Sequence, residues 1–128
     1  MGPHANSTRA LLGNYFDQAC PPTAAKPGTP GTPSNFDCIQ TPASAIAAAS
    51  GTTPTVVTGC VDIHCTTLAP AVMAAVEAAV EAADVVVVMV GISQDIEGEG
   101  RDRTTTSLPG AQNQLLEAVL ATAAANRA

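Results

Sequence analysis

The sequence predicts an α/β fold, a partial open α/β sandwich in which a mostly parallel sheet is flanked by helices and truncated at both ends. Three observations carry that expectation. Asp84 is followed by six apolar residues, Val85-Val86-Val87-Val88-Met89-Val90, five of them valine, and such a run reads as a strand buried on both faces, as parallel strands are. A helical stripe leads into it, with Val72, Val76 and Val80 at steps of four. A Gly-spaced charged loop, Glu97-Gly98-Glu99-Gly100-Arg101-Asp102-Arg103, leaves it, and open α/β sheets place ligands beyond the carboxyl ends of their strands.

The elements follow in chain order. Residues 1–14 open with a Gly-Pro loop that has no strand before it. From about 16 to 38 the chain is crowded with Pro, Gly, Thr and Ala, including Pro21-Pro22 and Lys26-Pro27-Gly28-Thr29-Pro30-Gly31-Thr32-Pro33. That composition reads as an irregular surface insertion bounded by Cys20 and Cys38. Thr41-Pro42 supplies an N-cap and a first-turn proline for a short alanine-rich helix ending near Ser50-Gly51. Residues 55–58 are a short strand candidate. Thr66 or Thr67 can cap the next helix, which runs through Ala83 with Pro70 in its first turn and Glu77 and Glu81 turned to water. After the charged loop, Leu108-Pro109-Gly110 opens a last helix whose buried stripe is Leu115, Leu116, Val119 and Leu120. An alternating pattern calls for a further strand beyond Asn126-Arg127-Ala128, so the 128 residues read as one domain, a piece of a larger protein.

Composition removes several function classes. A formal net charge of -6 with five Lys and Arg residues leaves no basic face for nucleic acid. No apolar segment approaches the roughly 20 residues that span a bilayer, so no membrane partner is expected. His4 and His64 stand apart from other ligand types, and no metal site follows from their spacing. Gly98-Glu99-Gly100 lacks the third glycine of a dinucleotide fingerprint, and no Gly-Lys-Ser/Thr phosphate loop occurs.

The four cysteines allow three connectivities, of which Cys20 with Cys38 and Cys60 with Cys65 closes two compact, turn-rich loops. Together with the glycosylation sequon Asn6-Ser7-Thr8 they point to a secreted protein, although no signal peptide is visible in this chain.

The loop carries the candidate chemistry. Gly98 and Gly100 let the backbone present both Glu97 and Glu99, and a carboxyl group serves as general acid or as base according to its surroundings. Two glutamates two positions apart do not flank a glycosidic bond as acid and nucleophile, which must stand about 5 to 9 Å apart on opposite sides. A partner carboxylate must come from elsewhere. Arg101, Asp102 and Arg103 either shape the loop through ion pairs or hydrogen-bond substrate hydroxyls. The competing bland reading is a solvated surface loop of mixed charge.

Gly2-Pro3-His4-Ala5-Asn6, Leu11-Leu12-Gly13-Asn14-Tyr15, Gly59-Cys60 with Cys65, Ala82-Ala83-Asp84-Val85-Val86-Val87, Gly91, Glu97 to Arg103 and Leu108-Pro109-Gly110-Ala111-Gln112 occur in that order. Together they resemble the carboxyl-side α/β sandwich domain of family 3 glycoside hydrolases, in the β-xylosidase and α-arabinofuranosidase subgroup. The resemblance implies a retaining, exo-acting hydrolase that removes terminal β-linked xylose or glucose from oligosaccharides or cell-wall glycans such as xylan. It implies no cofactor. It also implies an N-terminal barrel domain that supplies the aspartate nucleophile, and nothing in this chain resembles that barrel. The resemblance places the general acid/base at Glu99, with Glu97 as the alternative, and a chain without the barrel is expected to be inactive alone. The alternative is a stand-alone carbohydrate-binding or structural module without hydrolytic activity.

Overall fold

Helix signals in the sequence translate into three α-helices among the residues described by the computed structural model, which are 1–13, 19–21 and 36–127. The insertion expected at about 16–38 lies largely outside them. A 3-10 turn, Arg9–Leu11, precedes helix α1, Pro42–Ser50. The Thr41 side chain accepts a hydrogen bond from the Ser44 N–H at 3.1 Å, Pro42 fills the first turn, and Gly51 closes the helix at φ 69. Ala43 donates its N–H to Ala5 O at 3.0 Å, which fastens α1 to the amino-terminal segment.

Helices α2, Pro70–Glu81, and α3, Gln112–Ala125, pack on each other. Val76 and Val80 of α2 meet Leu115 and Val119 of α3 in one buried cluster with Ala111 and the Cys60 and Cys65 sulfurs. Each fully buried Val or Leu contributes about 1.5–3 kcal/mol, whereas the intervening alanines contribute little, so a handful of branched residues holds this layer. Two details differ from the sequence expectation. α2 is preceded by Ala69 without a side-chain cap, because Pro70 lies too far along for Thr66 or Thr67 to reach the first free N–H groups. Leu120 is 60% exposed and Leu116 half-buried, since the α3 stripe facing α2 is narrower than its apolar content.

The expected sheet is absent. Among the described residues no strand is formed, and the mostly parallel sheet flanked by helices is not the architecture of this chain. Residues 86–90 and 55–58 carry no regular secondary structure and form no ladder. What remains are single rungs through the amino-terminal segment. The Met1 amine donates to Val87 O at 2.6 Å and Met1 O accepts from Met89 N–H at 2.8 Å, while Gly2 N–H reaches Val57 O at 3.2 Å.

One further rung, from His4 N–H to Met89 O at 3.3 Å, follows before the pairing ends. Pro3 has no N–H to donate between these rungs, and the chain turns away over residues 3–6. On the other side, Val86, Val88 and Val90 have no backbone partner among the described residues, and the segment opens on a cavity of about 840 Å³ lined by Val80, Val86, Val119, Leu120 and Ala123. The valine run is therefore not buried on both faces. Val86, Val88 and Val90 pack against the helix cluster, but Val85 is 78% exposed and Val87 is exposed beside it.

Both disulfides, Cys20–Cys38 and Cys60–Cys65, are formed. The second closes a small loop in which Asp62 Oδ1 accepts the Cys65 N–H at 3.0 Å, and Cys65 O accepts the Ala111 N–H at 2.8 Å. The start of α3 thus sits directly on the disulfide loop. Gly110, at φ 55, makes this approach feasible, because a Cβ there would meet His64 O at 2.1 Å and Cys65 O at 2.3 Å. Gly110→Ala combines left-handed backbone strain with overpacking against two carbonyls and is expected to destabilise the chain by about 2–4 kcal/mol. A shift of the urea midpoint measures it, and an unchanged midpoint would refute the close approach.

Candidate active site

The charged loop begins where the valine run ends, at Gly91. Gly91 is held on both sides by one buried side chain: its N–H donates to Gln112 Oε1 at 2.7 Å, and its carbonyl accepts from Gln112 Nε2 at 2.9 Å. The same Nε2 donates to Ile63 O at 2.6 Å. Gln112 is fully buried at the first position of α3, so helix, disulfide loop and charged loop share one hydrogen-bonded joint.

Beyond that joint, Ser93 O accepts the Ile96 and Glu97 N–H groups at 2.9 and 3.0 Å, forming a turn. A second, tighter turn follows. Gly98 N–H donates to Arg101 O at 3.1 Å and Arg101 N–H donates to Gly98 O at 2.9 Å, so Glu99 and Gly100 occupy its tip. Gly100 takes φ 72, a left-handed position that glycine fills without steric cost. Glu97 and Glu99 are both exposed, and neither side chain has a hydrogen bond or ion pair among the described residues.

The two arginines are engaged with the loop itself. Arg101 Nη1 donates to Asp95 O at 2.5 Å, and Arg103 Nη2 donates to Ser107 O. Asp102 is exposed and makes no side-chain hydrogen bond or ion pair among the described residues. Arginine–backbone bonds of this kind leave the glutamates uncompensated, so the loop offers two free carboxylates on a folded support.

Three contacts tie the loop to the 3-10 turn near the amino terminus. Arg9 Nη1 pairs with Asp95 Oδ1 at 3.0 Å, Gln94 Nε2 donates to Leu12 O at 3.0 Å, and the same amide reaches Gly13 O. Spacing gives no hint of Arg9, Gln94 or Asp95. Gln112 did carry a signal, because it stands in helical register with Leu115 and Val119, a polar residue at the head of an apolar stripe.

The remaining sequence candidates lie apart from the loop or at its margin. Asn6 is exposed, as a glycan acceptor must be. His64 is exposed, and the His4 Nε2 atom is buried without a hydrogen-bond partner beside Gly91. Among the described residues no group of three His, Cys, Asp or Glu side chains is arranged to hold a metal ion, and no helix is long and apolar enough to cross a membrane. Chemically, the loop can offer a proton donor or acceptor to a bond held by another body, but it does not supply two carboxylates that face each other across a substrate.

Comparison with known proteins converges on one family. The profile of the glycosyl hydrolase family 3 C-terminal domain matches residues 1–126. Beta-xylosidase/alpha-L-arabinofuranosidase 2 of Medicago sativa subsp. varia is 32% identical over 120 residues, which is 93% of this chain and 12% of that protein. Beta-D-xylosidase 1 of Arabidopsis thaliana is 32% identical over 119 residues, again 93% of this chain and 13% of the relative. No solved structure matches the chain. The chain thus spans about an eighth of the curated relatives it matches. With the profile covering residues 1–126, the chain belongs to the glycosyl hydrolase family 3 C-terminal domain family.

Proposed function

We propose that this chain is the acid/base-bearing part of a retaining, exo-acting glycoside hydrolase that removes terminal β-linked xylose or glucose, and that a barrel domain elsewhere in the same enzyme carries the aspartate nucleophile. The observation that carries the reading is the exposed turn at Gly98–Arg101, which offers Glu99 at its tip with no competing partner while both nearby arginines are spent on backbone carbonyls. A general acid must reach a glycosidic oxygen bound on another surface, and a carboxylate at the tip of a fixed turn satisfies that requirement.

Glu99 protonates the departing oxygen and then, as carboxylate, deprotonates the water that releases the sugar from the nucleophile. Glu97, two residues before Glu99 and just outside the turn, is the alternative donor. Arg101 and Arg103 act as loop-shaping residues. The xylosidase relatives support the sugar class, and the two disulfides with the Asn6 sequon support secretion.

The test is hydrolysis of an aryl β-xyloside by the chain alone and by a polypeptide that joins it to a family 3 barrel. Retaining hydrolysis needs both carboxylates, so turnover is expected only in the joined form. Turnover by the chain alone would refute the division of labour.

A further inference from the structure

We infer that the 3-10 turn and its following residues, from Arg9 to Gly13, form a clamp that sets the position of the glutamate loop, with Gln94 and Arg9 as its positioning residues. The inference rests on the acid/base role proposed above. The contacts that build the clamp bring together parts of the chain 81 to 86 residues apart: Gln94 Nε2 to Leu12 O and Gly13 O, and Arg9 Nη1 to Asp95 Oδ1. Asp95 is the hinge of the arrangement, because its carboxylate faces Arg9 while its carbonyl accepts from Arg101 Nη1. Arg101 in turn closes the Gly98–Arg101 turn that holds Glu99 at its tip. A continuous chain of contacts therefore runs from the amino-terminal turn to the backbone that carries Glu99.

The loop needs such a clamp. Its end at Gly91 is fixed by Gln112, but between residues 92 and 103 no side chain enters the buried cluster. Without outside contacts, only local turns would define the loop, and displacement of a reacting group by about 1 Å can cost about a hundredfold in rate.

The two positioning residues differ in weight. Arg9 and Asp95 are 53% and 56% exposed, so their ion pair is screened and changes loop opening by about two- to fivefold. Gln94 donates to the Leu12 carbonyl in a partly buried bond at 3.0 Å, and its loss corresponds to as much as about tenfold.

The experiment has two arms. In the 128-residue chain, amide hydrogen exchange is followed at Gly98 and Arg101. Gln94→Ala is expected to speed exchange there about tenfold, and Arg9→Asp about two- to fivefold, with Val76 and Leu115 unaffected. Combining Arg9→Asp with Asp95→Arg restores the pair and the protection. Unchanged exchange in Gln94→Ala would overturn the clamp whatever the loop does chemically.

In the barrel-joined enzyme, Gln94→Ala is expected to lower kcat/KM about tenfold for an alkyl β-xyloside and little for a nitrophenyl β-xyloside, because misplacing a proton donor harms only poor leaving groups. Equal loss on both substrates, alongside a selective loss in Glu99→Gln, would show a merely structural role and overturn the inference. If Glu99→Gln itself shows no selectivity, the acid/base reading fails, and with it the catalytic purpose of the clamp.

Discussion

Glu99→Gln, in a polypeptide that unites this chain with its barrel, is expected to cut kcat/KM for substrates with poor leaving groups by about 10²–10⁴-fold. Glutamine keeps the size of the side chain but has no proton to give, so an alkoxide would have to depart unprotonated. A nitrophenolate departs without help, so kcat/KM for nitrophenyl xyloside should change little. Its kcat should nevertheless fall, because the same carboxylate acts as base in the second half-reaction. Azide, an anion that needs no base, should then restore turnover and yield a glycosyl azide. If Glu97→Gln shows this combined signature and Glu99→Gln does not, the proton donor is Glu97. The exposed turn makes the comparison clean, since neither carboxylate has an intramolecular partner among the described residues whose loss would disturb the fold.

Local structure was the legible part of this sequence. Thr41, Pro42 and Gly51 each act through their own backbone and near neighbours, so the bounds of α1 could be read directly. The stripe of α2 was equally plain, and Val76 and Val80 are buried where it placed them. The valine run misled, because β-branched composition reports a preference for extended backbone and not the presence of neighbours to pair with. The run forms no ladder among the described residues, because it takes only single bonds from a segment in which Pro3 interrupts the donors, and Val85 is left in solvent. At the site, the Gly-Glu-Gly pattern identified a turn that exposes carboxylates. The clamp from Arg9 and Gln94 was not legible, since it joins residues more than 80 positions apart and rests on backbone carbonyls that carry no residue signature.

The buried amide of Gln112 is where the fold and the site depend on each other most. Gln112→Leu fits the volume but leaves Gly91 N–H, Gly91 O and Ile63 O without the partners they have at 2.7, 2.9 and 2.6 Å. An unsatisfied buried polar group costs about 1–3 kcal/mol, and the apolar gain of leucine offsets part of the sum, so a net loss of about 3–6 kcal/mol is expected. That is a large share of the stability of a domain this size. Gln112→Glu separates the hydrogen-bond argument from a packing one. Burial favours the neutral acid, so the folded carboxyl titrates above the unfolded one. Its destabilisation should therefore be smallest at acid pH, where an O–H can still donate to one carbonyl, and grow as pH rises. Leucine should show no such dependence. Urea unfolding of both variants across pH 4–7 provides the measurement. A leucine variant within about 1 kcal/mol of the parent, the net value of one ordinary hydrogen bond, would mean that solvent reaches Gly91 and Ile63 and that the joint between α3 and the glutamate loop is not sealed.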